Sequence, residues 1–407
     1  MTLLFAWRYF KAKKTTNAIN VIAWISIGAI VVGTASLILV LSVFNGFEGL
    51  VKSLYSSFYT DLKILPATGK TIEVSPDQLR QLAGVPGIDG FSGVVEEKAL
   101  LQNGDDQTVA TLKAADDKYR YVTGVADYIV RGEFDLGSLD EPKLVLGVGL
   151  EGALGLMTDR NMFSLRIILP RKNGGSQADP LEDISIAEIQ PSGAFFIQQD
   201  FDNKYAITNI DFARRALRMG EQEYSGIEIK LRPGFKDTEV QAAVAAIFGT
   251  GYKVQTRYQQ NQSLYSVMNL ERWIIYGVLS LILVVGAFNM IGALTMLVLE
   301  KQKDIGILHA MGARRGFIQR IFLNEGFLLA VIGGGIGMLL ALAVAILQMK
   351  FHLLALEGGT FLIDYFPVEL RITDFLLVGA TVFIIALLAS WLPSRKAARQ
   401  QFALREE

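Results

Sequence analysis

The stretch VIAWISIGAIVVGTASLILVLSVF, residues Val21–Phe44, contains no charged residue. A helix needs about 20 apolar residues to cross the hydrocarbon core of a bilayer, so this stretch predicts a transmembrane helix. It is too long for the apolar region of a signal peptide, and no small-residue cleavage site follows it, so we expect it to remain in the mature protein. Three further stretches are predominantly apolar and long enough to span, at residues 273–299, 322–347 and 375–392. The sequence therefore predicts four transmembrane helices.

The composition favours a membrane protein and excludes several other classes. Hydrophobic residues make up 51% of the 407 residues and charged residues 19%, against about 25% charged in soluble proteins. A net charge of -1 argues against a nucleic-acid-binding protein, which carries a basic patch. The absence of cysteine excludes disulfides, thiolate metal sites and cysteine nucleophiles. His309 and His352 have no companions at ligand spacing, so we predict neither a metal site nor a cofactor.

Lysine and arginine predict the orientation, because short cytoplasmic loops carry an excess of both. They are concentrated before the first span, between the second and third spans, and after the fourth. The loop between the third and fourth spans has only Lys350 and Arg371. We therefore predict cytoplasmic segments at 1–20, 300–321 and 393–407, and extracytoplasmic segments at 45–272 and 348–374.

Residues 45–272 predict an α+β domain, because short β-rich runs and helical segments alternate with turn-forming residues. The segment exceeds the usual size of a single core, so we expect two lobes, one inserted at roughly 126–225. Tyr258–Glu271 is polar but compatible with a helix, and predicts that the second span continues outward as a stalk. The predicted fold is thus an α-helical membrane protein with four transmembrane helices and a large two-lobed α+β domain between the first and second.

Two glycine-rich patterns bear on nucleotide binding. Gly147–Gly152 reads GVGLEG and matches the dinucleotide fingerprint G-x-G-x-x-G. That fingerprint also needs an acidic residue about 20 positions on, where this chain has Lys172. We therefore interpret the glycines as close packing of a helix against a strand. No G-x-x-x-x-G-K-[ST] sequence occurs, so ATP, if the protein depends on it, is bound by another polypeptide.

Glu325 lies about one turn inside the third span. An ionisable residue at that depth is a functional candidate, and pairing with Arg315 or Arg320 is the alternative. The glycines at 333–337 in the same span predict close packing of helices in lipid.

The loop between the second and third spans carries an apolar row, Ile305, Leu308 and Met311, flanked by charges. One interpretation is a short helix whose apolar face docks into a groove on a cytoplasmic partner. The other is a helix that lies on anionic lipid. The sequence pattern favours neither.

Several stretches resemble permeases of the lipoprotein-releasing (Lol) system. They are Ala6–Tyr9, Ile25–Gly28, Leu41–Glu48, Ala287–Met290, Met296–Lys301, Asp304–Ala313 and Pro393–Ala398. The second-span and loop patterns also resemble a wider family of mechanotransmitting permeases, which includes macrolide exporters and cell-division permeases. The pattern that ends in Asn45-Gly46-Phe47 is more specific to the Lol branch, and the resemblance extends over the whole chain.

The resemblance implies a permease in the inner (cytoplasmic) membrane of a Gram-negative bacterium, with both termini in the cytoplasm. Its implied partners are a cytoplasmic ABC ATPase dimer, a second permease copy or paralogue, and a periplasmic lipoprotein carrier. Its implied substrates are triacylated lipoproteins, extracted from the outer leaflet and passed to the carrier. The chain itself would be non-catalytic, and the ATPase subunits would drive it by moving the loop at 300–315.

The resemblance also points to three sets of residues. An apolar cavity for acyl chains would involve the outer end of the first span, at Val40, Val43, Phe44 and Phe47, although these residues could instead anchor the helix at the membrane interface. Coupling to the ATPase would involve Lys301, Asp304, Ile305, Leu308, Met311 and Gly312. A carrier-binding hairpin, present in one of the two permease types of the family, would fall at Pro170–Asp183 and includes Pro170 and Pro180.

Other functions stay open from the sequence. An exporter of small molecules or peptides shares this architecture. A signalling permease that activates an envelope hydrolase is less compatible, because such relatives have much smaller outer domains. A membrane-anchored enzyme is disfavoured, since the sequence shows no catalytic constellation.

Overall fold

A computed structural model describes residues 17–158, 164–171, 184–356, 363 and 365–399, with side chains from Val21 onward. Its described residues form two compact units. The membrane unit contains the residues up to Leu50 and those from Ser266 onward, and the large domain contains those between Val51 and Tyr265.

The helices of the described residues vary from one turn to more than ten. In chain order they are α1 (Asn17–Phe58), α2 (Pro76–Ala83), α3 (Tyr119–Val122), α4 (Val148–Ala153), α5 (Gln199–Asp202), α6 (Ile210–Leu217), α7 (Asp237–Phe248), α8 (Arg257–Gln260), α9 (Gln262–Glu300), α10 (Gln302–Ala310), α11 (Arg315–Phe351) and α12 (Ile372–Arg399). A short 3-10 helix lies at Val125–Tyr128.

The strands of the described residues all lie in the large domain. In chain order they are β1 (Leu62–Pro66), β2 (Ile72–Glu73), β3 (Ile88–Asn103), β4 (Asp106–Ala115), β5 (Ile129–Gly132), β6 (Lys143–Gly147), β7 (Leu165–Pro170), β8 (Ile184–Phe195), β9 (Tyr205–Asn209), β10 (Glu223–Tyr224), β11 (Gly226–Leu231) and β12 (Tyr252–Thr256).

Four helices of the described residues, α1, α9, α11 and α12, are long and apolar enough to cross a membrane. The prediction of four transmembrane helices is thereby confirmed. With 39 residues, α9 is about 58 Å long at 1.5 Å per residue, well above the bilayer core of about 30 Å. The polar residues before the second span belong to the same helix, which begins at Gln262.

Small residues bring the long helices of the membrane unit close together. A Cβ added at Gly33, Gly326 or Gly333 would lie within 3.0 Å of a side chain on a neighbouring helix. Larger residues at these positions would push the helices apart, as expected for small residues at helix interfaces in lipid.

A ten-stranded sheet organises the large domain. Its order is β12-β1-β11-β3-β4-β9-β6-β8-β5, and β7 pairs with both β3 and β8. The pairings β3-β4-β9-β6-β8-β7 thus return to β3 and form a closed series. Alternation explains which side chains point inward: in β7, Leu165, Ile167 and Leu169 are buried, whereas Arg166 and Pro170 are exposed.

Among its described residues, the large domain has two apolar cores. One is enclosed by the closed series of strands together with α4 and α6. The other lies among β1, β11, α2 and α7. Strands β3 and β4 precede residue 126 and yet share the first core with residues 144–217, so that core is built from both sides of the predicted lobe boundary.

Candidate functional site

The outer end of α1 presents the predicted acyl-chain residues unequally. Val40 is 39% exposed, and Val43 and Phe44 are partly exposed. Phe47 packs edge-on against Phe366, with ring centroids 5.9 Å apart. Val40, Val43 and Phe44 therefore remain candidates for contact with acyl chains, while part of the Phe47 ring is covered by the chain itself.

A buried polar group lies beside these apolar residues, and the sequence patterns did not reveal it. Asp374, at the start of α12, is 1% exposed. Its carboxylate accepts hydrogen bonds from Asn45 Nδ2 and from Arg272 Nη2, each at 2.5 Å. The three residues thereby join the outer ends of α1, α9 and α12.

At the opposite end of the same helices, α10 follows directly after α9. Ile305 is 3% exposed and belongs to an apolar cluster of this chain. The other members of the cluster are Leu297, Val298, Ile318, Phe322 and Ala397. Ile305 therefore faces inward. The expected row of Ile305, Leu308 and Met311 is thus not accessible along its whole length.

The accessible apolar residues of this segment are Ile307, 60% exposed, and Met311, 78% exposed, with Leu308 partly exposed. Lys301 Nζ lies 3.4 Å from Asp304 Oδ2, across one turn of helix. The segment ends at Gly312, where φ is +84°, in the region that favours glycine. Sequence reasoning missed Ile307, because this residue lies off the i, i+3 spacing of the expected row.

Most of the predicted carrier-binding hairpin, residues 172–183, lies outside the described residues, and the strands β7 and β8 flank it. Pro170 ends β7 and pairs with Ile184, whereas Pro180 lies outside the described residues. Directly paired residues form an apolar row on the outer face of four adjacent strands. In order across the strands they are Val109, Leu100, Ile168 and Ile186. Val109 is 63% exposed and Ile186 58% exposed, so the row forms a surface that sequence reasoning did not identify.

A cluster of four charges lies within the sheet of the large domain. Lys113 Nζ lies 2.7 Å from Glu228 Oε1, and these two side chains are 1% and 2% exposed. Lys63 Nζ lies 2.8 Å from Glu96 and 3.2 Å from Glu228. Burial alone would raise the pKa of Glu96, but Lys63 and Lys113 outweigh it and lower the pKa to about 2. We define these four residues as the buried charge cluster.

The GVGLEG segment packs as closely as predicted, although its neighbour is a turn and not a strand. A Cβ added at Gly147 would lie 2.2 Å from the carbonyl oxygen of Asp202. One added at Gly149 would lie 1.7 Å from Asn203 Oδ1. The residues that end α5 therefore occupy the space over these glycines that a bound pyrophosphate would need.

Glu325 is 2% exposed within α11, while Arg315 and Arg320 are exposed.

Within the part of the chain that the structure describes, no group of three or more His, Cys, Asp or Glu side chains is arranged to hold a metal ion.

Comparison with known proteins divides the chain into two family matches. Residues 23–247 match the MacB-like periplasmic core domain. Residues 276–402 match the FtsX-like permease C-terminal family. The first match covers more than half of the chain.

Curated relatives align over nearly their full length. The chain is 26% identical to the lipoprotein-releasing system transmembrane protein LolE of Haemophilus influenzae, with 97% of this chain and 96% of that protein aligned. It is 27% identical to the LolC protein of Neisseria meningitidis serogroup B, with 98% of each aligned. The solved periplasmic region of MacB from Actinobacillus actinomycetemcomitans is 11% identical, with a TM-score of 0.35, over 52% of this chain and 94% of that one.

Proposed function

The chain belongs to the MacB-like periplasmic core domain family, and from that premise we propose that it extracts lipoproteins from the outer leaflet of the inner membrane, as the permease subunit of an ABC-type complex. The observation that carries the proposal is the alignment with LolE and LolC, which extends over nearly the whole of each chain. An inner-membrane protein with a periplasmic domain also fits the four apolar helices.

Energy would come from a cytoplasmic ABC ATPase dimer that contacts α10. In the orientation that the loop lysines and arginines predict, both termini and α10 are cytoplasmic. Ile307 and Met311 offer exposed apolar contacts, and Ile305 connects α10 to the ends of α9, α11 and α12 through the cluster it shares with them. A movement of α10 would thus be transmitted to three spans of this chain. A second permease copy or paralogue would respond to its own ATPase contact in the same way.

The substrate surface would lie at the outer end of α1. Val40, Val43 and Phe44 are apolar and at least partly exposed there. Burial of each CH₂ group contributes about 0.8 kcal/mol, so a triacylated anchor needs a large apolar surface and tolerates little charge. These three residues would form part of that surface, completed by the second permease.

The carrier would bind to the face of β7 and β8. Two members of the apolar row, Val109 and Ile186, are strongly exposed. Pro170 lies at the end of β7, the strand that contributes Ile168 to the row. Exposed apolar residues that are contiguous on a surface are typical of sites for protein partners.

Phe44 provides the test of the substrate. A photo-crosslinker at position 44 should capture lipoprotein in cells, and capture should disappear when the lipid-bearing cysteine of that lipoprotein is replaced. Phe44→Glu should reduce capture and release strongly, because an unpaired charge in an apolar site costs several kcal/mol. Phe44→Leu keeps an apolar side chain and serves as the matched control, with little change expected.

Two results would contradict the proposed substrate surface. One is crosslinking of position 44 to phospholipid alone, with unchanged lipoprotein release by Phe44→Glu, which would make the aromatic residues interface anchors. The other is capture of a small molecule or peptide in place of lipoprotein, which would favour the exporter.

A further inference from the structure

The motif Asn45-Gly46-Phe47 is in contact with another part of this chain. Residues 365–371, which we call the strap, lead from the loop after α11 into α12. The amide N–H of Glu369 in the strap donates a hydrogen bond to the carbonyl oxygen of Ser42, at 3.0 Å. The strap thus lies along the outer end of α1.

Gly46 and Phe47 each accommodate one residue of the strap. A Cβ added at Gly46 would lie 2.3 Å from the carbonyl oxygen of Pro367, so a larger residue would displace the strap. Phe47 contacts Phe366 at an interplanar angle of 82°, an edge-to-face geometry that aromatic pairs prefer. Two consecutive residues of the motif therefore fit two consecutive residues of the strap.

Asn45 fixes the point where the strap enters α12. Its Nδ2 donates to Asp374, 329 positions away in the chain, and Arg272 of α9 donates to the other oxygen of the same carboxylate. A buried carboxylate is costly unless it is paired and hydrogen-bonded, and both conditions are met here. Loss of one partner from a buried pair is strongly destabilising.

Two ion pairs of the strap lie closer to the surface than Asp374 does. Arg371 Nη1 lies 2.9 Å from Glu48 Oε2, and Arg371 Nε lies 2.9 Å from Glu369 Oε1. The side chains of Arg371 and Glu369 are 27% and 47% exposed. Exposed ion pairs contribute little to stability, so the buried Asp374 should hold the strap far more firmly than Arg371 does.

We propose that Asn45-Gly46-Phe47 is a seat for the strap of this chain, and that Asp374 is the positioning residue that holds the outer ends of α1, α9 and α12 together. In this assignment the motif acts by binding the strap and does not contact the substrate. The proposal is independent of which substrate the protein carries.

Ser42 offers a reporter for the state of the seat. Its side chain is 1% exposed, and its Oγ has no hydrogen-bond partner among the described residues, so Ser42→Cys replaces it without loss of a bond. The sequence contains no other cysteine, so reaction of the purified full-length chain with a water-soluble maleimide reports position 42 alone. With the seat closed, the introduced thiol should react slowly.

Asp374→Ala should speed the reaction of this thiol by at least about tenfold, because the rate follows the free energy of local opening. Arg371→Gln is the matched control within the strap and should change the rate by less than about fivefold. Asn45→Asp places two carboxylates against each other and should also open the seat. The exchange Asn45→Asp with Asp374→Asn restores one carboxylate and one amide in contact, so it should return the rate close to that of the parent.

The proposal is overturned if Asp374→Ala leaves the thiol at position 42 as protected as in the parent. It is also overturned if the exchange variant raises the reaction rate of the thiol as much as its two single changes would together. Two residues in direct contact must rescue each other. Should Asp374→Ala fail to fold, as judged by size-exclusion chromatography, the comparison of Asn45→Asp with the exchange variant decides alone.

Discussion

Lys113 and Glu228 are paired at 2.7 Å with almost no exposed surface, in a domain that otherwise has apolar cores. A buried ion pair of this kind rarely adds stability over an apolar pair, but the loss of one partner is costly. Lys63 and Glu96 complete the buried charge cluster and join β1, β3, β4 and β11. The four residues therefore connect four adjacent strands of the sheet.

Lys113→Met should weaken the large domain by about 3–5 kcal/mol, because it leaves two carboxylates with a single lysine. The measurement is hydrogen exchange at the amides of β3 and β4 in the detergent-purified chain. Lys70→Met is the matched control: Lys70 is 81% exposed and lies 3.4 Å from Glu97, so about 0–1 kcal/mol is expected. Equal protection of β4 in both variants would contradict the role of the cluster.

The same cluster predicts a dependence on acid. The folded protein holds the pKa of Glu96 at about 2, below the ordinary value of about 4.3 for an unfolded chain. Because the folded pKa is depressed, the stabilisation is fully present above the ordinary value and is lost as the pH falls towards 2. Protection of β3 and β4, corrected for intrinsic exchange, should therefore decline below about pH 4.3, and a constant protection down to about pH 2.5 would contradict this.

At this scale, sequence reasoning found residues that stand out in their neighbourhood and missed those that depend on a distant partner. Phe44 and Met311 are apolar residues at the ends of apolar segments, and both are accessible. The position of Asp374 in the sequence suggests only a helix cap, because its partners Asn45 and Arg272 lie more than 100 positions away. No local pattern could have shown that these three meet.

Helix α10 shows the same limit for an element. The charged residues and the short apolar row predict a helix, and a helix is present at Gln302–Ala310. Which apolar residue faces inward depends on the ends of α9, α11 and α12, and these bury Ile305. Hydropathy alone likewise predicts the four long helices, whereas the order of the strands and the closed series of pairings required the structure.

Met311→Asp should release the ATPase while the permease still inserts and purifies. Met311 is 78% exposed, so the change costs the chain little, but a charge in an apolar contact with a partner should weaken binding by at least about 2 kcal/mol. The measurement is the amount of ATPase that copurifies with the chain in detergent. Retention of the normal amount would favour an α10 that lies on lipid.

Two variants serve as controls for that measurement. Lys303→Gln changes an exposed residue of the same helix and should leave the bound ATPase unchanged. Ile305→Asp places a charge in the apolar cluster and should reduce the yield of folded permease itself, because a buried unpaired charge costs several kcal/mol.

The whole molecule combines a bundle of four long helices with a large mixed sheet. The membrane unit has proposed contacts at two ends of the same helices: the acyl-chain surface beside Asp374, and α10, which contains Ile305. An arrangement of this kind suits a part that transmits movement, which is what a permease driven by separate ATPases requires.

Release of lipoprotein from a defined membrane tests this account most directly. The complex purified through this chain would be placed in vesicles of phosphatidylethanolamine and phosphatidylglycerol, together with a triacylated lipoprotein. After addition of ATP and a soluble periplasmic extract, lipoprotein should appear in the supernatant, and it should not appear without ATP or with Met311→Asp. If the complex hydrolyses ATP and the lipoprotein nevertheless stays in the vesicles, the proposed function is contradicted.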